Sequence, residues 1–186
     1  YMPVPFLSVI TNDCIAAGKD YNAGGARYNT NYLQGVGIGT ITDSLAAIKY
    51  NVFDKKKFTM SELMQALKDN YEGHGRIRNL VSNKTPKYGN DDDYADDIMK
   101  DVFQFYYESV TGRPNMKGGK YRINMLPTTC HVYFGEVMMA SPNGRMAHKP
   151  VSEGISPEKG ADVQGPTAVV KSCSKMDHVN TGGTLL

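Results

Sequence analysis

The spacing of apolar residues changes several times along the 186-residue chain, and each change predicts an element. Residues 3–12 (PVPFLSVITN) are a nearly continuous apolar run broken at Asn12 and Asp13, which predicts a strand or strand-like entry. Over 39–50, Ile41, Leu45, Ala46 and Ile48 recur at roughly helical spacing and predict a helix with one buried side. Thr59-Met60-Ser61-Glu62 reads as a capping box opening a helix over 61–70, with Leu63, Met64 and Leu67 as its stripe. A short helix is expected near 76–81. The acidic run Asp91-Asp92-Asp93 then suits the positive end of a long helix reaching about 110, with Gly112 placed to stop it. Ile98, Val102, Phe105 and Tyr106 are its expected buried face.

Beyond residue 120 the pattern shifts. Residues 121–126 and 130–134 have β-forming composition and are separated by Pro127. Pro142-Asn143-Gly144 predicts a turn, and the two prolines and three glycines of 149–165 predict an ordered loop. Residues 167–174 suit a short helix, and Gly182-Gly183-Thr184-Leu185-Leu186 the start of a strand. Helical and β segments alternate without repeats or a low-complexity linker, so the expected class is α/β.

Charge narrows the function classes. Twenty-one basic residues balance nineteen acidic ones for a net charge of +2, with no basic cluster of the kind that binds nucleic acid or a membrane surface. No stretch approaches the eighteen or so apolar residues of a membrane span. Three distant cysteines, Cys14, Cys130 and Cys173, do not make a secreted disulfide framework, and the first thirty residues do not resemble a signal peptide. A reduced, cytoplasmic protein is the expectation. Tyr1 in place of Met, and a last residue inside an apolar run, read as cuts through a longer chain.

Candidate chemistry is sparse. Gly35-Val36-Gly37-Ile38-Gly39 lacks the spacing of a dinucleotide fingerprint and the lysine of a phosphate loop, and reads as tight packing ahead of a helix. The acidic run lacks the glycine and terminal glutamate of a calcium loop. His74, His131, His148 and His178 do not share a metal-site spacing, so no metal is expected. Cys130 and His131 are adjacent, and on a strand they would point to opposite faces. His131 reads instead as a hydrogen-bonded core histidine. The residues alone describe an α/β segment without a complete catalytic constellation.

Several longer strings resemble the glycyl radical enzymes of the pyruvate formate-lyase-like family. They are Asn22-Ala23-Gly24-Gly25-Ala26-Arg27-Tyr28-Asn29, Lys87-Tyr88-Gly89-Asn90-Asp91-Asp92, and Ser141-Pro142-Asn143-Gly144-Arg145 followed by Gly154-Ile155-Ser156-Pro157. Gly165-Pro166-Thr167-Ala168 and Ser174-Lys175 continue the match, in the family's order, over nearly the whole chain. The resemblance implies part of a ten-stranded α/β barrel, two antiparallel five-stranded half-barrels wrapped by helices, with this chain in the second half. It implies that residues 1–186 are an internal fragment of that barrel, lacking both the cysteine finger loop and the C-terminal glycyl radical domain. No cysteine here has glutamate two residues on, and the R-V-x-G-[YF] string of the radical loop is missing. No catalytic residue is therefore expected within the chain.

By the same resemblance, the parent enzyme stores a glycyl radical installed by an activating enzyme with S-adenosylmethionine and an iron–sulfur cluster, and binds no other cofactor. It is expected to be a homodimer acting on a small molecule. The strings over 156–162 and 172–186 are most similar to the branch that dehydrates trans-4-hydroxy-L-proline to a pyrroline carboxylate. Glycerol or propanediol dehydration, choline trimethylamine cleavage and pyruvate formate-lyase chemistry are the alternatives on that scaffold. A non-catalytic structural piece is the reading of another class. Thr181, with Gly182 beside it, is the candidate substrate contact, reaching a carboxylate or ring nitrogen. The competing reading is a hydroxyl that closes a turn. Arg27, Tyr28 and Asn29 read as scaffold.

Overall fold

The computed structural model describes residues 2–184. Its elements in chain order are α1 (Pro5–Val9), α2 (Asn12–Ala17), β1 (Asn31–Gln34), α3 (Ile38–Ile48), α4 (Met60–Lys68), α5 (Gly75–Asn83), α6 (Asp93–Val110), β2 (Tyr121–Asn124), α7 (Cys130–Val137) and α8 (Pro166–Ser174). Short helical turns at Tyr21–Ala23 and His178–Asn180 and a wider one at Lys49–Asp54 complete the set. β1 and β2 form a two-stranded sheet. The amides of Asn31 and Gly35 donate to the carbonyls of Lys120 and Asn124, an equal advance on both strands, so the pair is parallel. The mixed α/β class is thus observed, with a small parallel sheet among the described residues.

The described residues divide into two compact units. One takes in the residues up to Leu33 with Tyr106–Ile123. Here the expected strand over 3–12 is two short helices instead. Pro5 occupies the first turn of α1, where its missing N–H costs nothing, and the Asp20 carboxylate accepts from Val4 N and Ser8 Oγ. The glycine pair is used for close approach: a Cβ at Gly24 would lie 2.3 Å from Lys117 O, and one at Gly25 2.1 Å from Lys19 O.

The other unit holds Gln34–Phe105 and the described residues from Asn124 on. One core cluster joins the end of α3 to α4 and α5 through Ala47, Phe58, Leu63, Ala66, Tyr71, Ile77 and Val81. The capping box forms as expected: Thr59 Oγ1 accepts from Glu62 N while Glu62 Oε2 accepts from Thr59 N. Met64, expected in the stripe of α4, is half exposed, and Ala66 takes its buried place.

Helix α6 starts and stops near the expected positions, but its buried face is Ala95, Asp96, Met99 and Phe103. The expected Phe105 is 74% exposed. Residues 130–134, expected as a strand, begin α7. Gly135 lets that helix sit directly on the Lys149–Pro150 backbone, where a Cβ would come within 2.2 Å of Lys149 O. Met125 and Thr184 form a parallel bridge, in keeping with a strand starting at 182, and Leu185 and Leu186 lie outside the described residues.

Candidate functional site

In the larger unit the motif strings over 87–92, 141–145 and 154–157 converge on a buried polar network. Its first member is the N-terminal part of α3, opened by Gly37 at φ +81°. Thr40 N donates to Ser152 Oγ at 3.0 Å, and Ser152 N donates to Thr40 Oγ1 at 2.8 Å. The Thr40 hydroxyl in turn donates to Glu158 Oε2. Gly39 makes the approach possible, since a Cβ there would lie 2.9 Å from Ser156 O. The glycine run therefore serves packing against the 152–156 segment, as the sequence suggests.

Asp43, one turn further, is fully buried. Its Oδ1 accepts from Tyr88 N at 2.9 Å, while Oδ2 has no hydrogen-bond partner and lies 3.8 Å from Lys87 Nζ. Burial pushes its carboxyl up to about 7 against the pull of Lys87 and the Tyr88 amide. Burial also lowers the Lys87 ammonium, which Asp43 and Glu158 partly restore. Lys87 Nζ donates to Asn143 O at 2.9 Å. Arg145, 7% exposed, donates to Ser141 Oγ at 3.0 Å, Lys149 O at 2.6 Å, Met146 O at 3.2 Å and Met139 O. It holds the whole 139–149 loop by neutral acceptors.

A second arm ties α8 to the start of α6. Ser172 Oγ donates to Asp96 Oδ2 at 2.9 Å and accepts from Asp91 N at 2.9 Å. Lys175 Nζ reaches Asp96 Oδ2 at 2.6 Å, Asp93 Oδ1 at 2.8 Å and Asp91 Oδ1 at 3.2 Å. Desolvation would lower this ammonium, but the three carboxylates outweigh it and raise it above its ordinary value. Between the arms stands Tyr88, fully buried, whose hydroxyl donates to Ile155 O at 2.9 Å and lies 3.1 Å from Cys173 Sγ. Gly89 at φ +93° packs against Pro157, where a Cβ would fall 2.3 Å from Cγ.

Thr181, the candidate substrate contact, is buried at the end of the His178–Asn180 turn, and its hydroxyl donates to His178 O at 3.1 Å. Gly182 beside it is exposed, and Gly183 O accepts from Met125 N at 2.9 Å. His131 lies on α7 rather than on a strand. Its Nδ1 donates to Thr128 O at 2.6 Å and stands 3.6 Å from Glu153 Oε2, beside a cleft of about 770 Å³ also lined by Ser152, Ser156, Lys159 and Asp162.

All three cysteines are free, with Cys14 and Cys173 buried. Burial raises both thiols, so neither is an activated nucleophile. Among the described residues no set of three or more His, Cys, Asp or Glu could hold a metal, and no helix is long and apolar enough to cross a membrane. Asp43, Glu158 and Arg145 were not singled out individually by sequence reasoning. The motif strings that contain Arg145 and Glu158 are the signal that pointed to the region.

Comparison with known proteins accounts for these strings. Residues 1–135 match the family model described as pyruvate formate lyase-like, and residues 151–186 match the one described as glycine radical. The loop and α8, read from sequence as barrel, thus match a different model from the rest. Over its full length the chain is 72% identical to trans-4-hydroxy-L-proline dehydratase of Clostridioides difficile, of which it covers 24%. The crystal structure of the Clostridioides difficile hydroxyproline dehydratase with trans-4-hydroxy-L-proline bound superposes with a TM-score of 0.95, over 100% of this chain and 23% of that one. The glycerol-bound B12-independent glycerol dehydratase of Clostridium butyricum superposes with a TM-score of 0.89 at 41% identity, over 96% of this chain and 22% of that one. The chain spans about a quarter of the length of these relatives. A family-model match over 135 consecutive residues, carried on an interlocked set of the family's own motifs, places this chain in the pyruvate formate lyase-like family.

Proposed function

We propose that this chain is part of a glycyl radical dehydratase that removes water from trans-4-hydroxy-L-proline to give a pyrroline carboxylate. The observation that carries this reading is the 72% identity, without a gap in coverage, to a dehydratase of that substrate. A ten-stranded barrel in a cytoplasmic homodimer is the expected setting. A stored glycyl radical, installed by an activating enzyme that uses S-adenosylmethionine and an iron–sulfur cluster, supplies the hydrogen-atom chemistry. The catalytic cysteine is assigned outside residues 1–186, since none of the three cysteines here has glutamate two residues on.

The role left to this chain is positional. The Thr40–Ser152, Tyr88–Ile155 and Asp96–Lys175 links hold the segment matching the glycine radical model against the segment matching the pyruvate formate lyase-like model. Thr181 remains the proposed substrate contact. Its hydroxyl donates within its own turn, to His178 O. It would meet the carboxylate or the ring nitrogen of hydroxyproline.

The test uses the intact protein, activated without oxygen and supplied with trans-4-hydroxy-L-proline. Pyrroline carboxylate should form. A confirmed glycyl radical without product would move the substrate to a diol, choline or a keto acid. In the active protein Thr181→Val should raise KM about tenfold, as expected for loss of one hydrogen bond to a charged group. Thr181→Ser should stay near the parent value, and unchanged kinetics in the valine variant would return Thr181 to a purely local role.

A further inference from the structure

A cleft of about 440 Å³ opens beside the 141–149 loop. Its wall carries five cations, Arg78, Lys87, Arg145, Lys149 and Lys159, against one carboxylate, Glu158. Two of these cations are themselves more than nine-tenths buried, Lys87 at 8% exposure and Arg145 at 7%. Buried cations are normally compensated by acids. Here the bonds of Arg145 go to carbonyls and one hydroxyl, and Lys87 donates to the Asn143 carbonyl with its nearest carboxylate oxygen 3.8 Å off. Glu158 is already occupied by the Thr40 hydroxyl and the Asn143 amide, 3.5 Å away. Lys149 and Lys159 are exposed, and neither makes an ion pair among the described residues.

Same-sign charge in a concave wall of low dielectric concentrates its field in the opening. A tetrahedral oxyanion has enough lone pairs to satisfy an arginine fork and two ammoniums together. The volume exceeds that of a bare phosphate and leaves room for a small organic body. From the five converging cations and the shape of the cleft, we infer that this site binds a phosphate-bearing small molecule. Arg78, Lys149 and Lys159 close on the phosphate oxygens, while Lys87 and Arg145 supply positive potential from behind.

Calorimetric titration of the intact protein with inorganic phosphate and then pyrophosphate at low ionic strength tests this. Saturable binding is expected, tighter for pyrophosphate. The double variant Lys149→Gln/Lys159→Gln, both on the surface, should weaken it at least about tenfold with an unchanged melting temperature. Lys55→Gln/Lys68→Gln, equal in charge but remote from the lining, should leave it unchanged. Glu158→Gln should tighten it about threefold by removing the one opposing charge, which a purely structural role for these residues does not predict. Absence of saturable binding, or equal loss in both double variants, overturns the proposal. So does binding of a polyglutamate peptide without phosphate binding, which would assign the cleft to an acidic polypeptide.

Discussion

Asp43 occupies an expensive position: a carboxylate shut away from water with a single amide donor on one oxygen and a lysine at 3.8 Å from the other. Burial raises its carboxyl to about 7, and Glu158 is raised for the same reason. In the unfolded chain both titrate near 4. Between about pH 4 and about pH 7 the folded chain thus keeps a proton that the unfolded chain releases. That contribution is complete below pH 4 and lost as pH rises through 7, at up to about 1.4 kcal/mol per pH unit for one group. Lys87, lowered by burial, acts with the opposite sign and only above its own lowered value. Urea unfolding between pH 5 and 7 should therefore show stability falling as pH rises, with Asp43→Asn flattening much of that slope; equal slopes in parent and variant would refute the assignment. Nothing local marks Asp43 in advance, because it lies between Thr42 and Ser44 on a helix whose apolar stripe points elsewhere.

At the scale of elements, helix α3 shows why that stripe misleads. Ile41 and Leu45, expected inside, are 49% and 42% exposed, while Thr40, Thr42, Asp43 and Ser44 are buried with Ala46 and Ala47. Periodicity identifies a helix but not which side a neighbour covers. Helix α6 makes the same point, since its buried face is turned toward Asp96, the carboxylate that α8 reaches through Ser172 and Lys175. Lys175→Met should cost about 3 kcal/mol, because it leaves Asp96 buried without its cation. Lys100→Met, which breaks an exposed pair with Asp97, should leave stability nearly unchanged. Thermal unfolding of the two variants separates these outcomes, and equal losses would show that the Lys175 cluster is only a surface feature. Helix α7 eluded the sequence because aromatic and β-branched composition outweighed length in the reading of 130–134.

Across the whole molecule, apolar surface is left uncovered. Ile38, Ile41, Phe134, Val137, Met138 and Val151 line an apolar groove of about 420 Å³, and Val137 is 79% exposed. Phe6, Val9 and Ile10 of the smaller unit are more than 60% exposed. The 186-residue chain produced by itself should therefore self-associate, which light scattering on a sizing column would reveal; a monodisperse, cooperatively melting monomer would contradict this. The sequence by itself determined the capping box of α4, the acidic start and glycine stop of α6, the short helix over 167–174, the turn at 142–144 and the family motifs. Each of these acts through hydrogen bonds or backbone limits among near neighbours, so it is legible locally. Only the tertiary structure decided that Thr40 meets Ser152, that Asp96 meets Lys175 and that a carboxylate rather than Ile41 is buried on α3. Those pairings join residues as many as 112 positions apart, and burial belongs to the packed pair rather than to either segment.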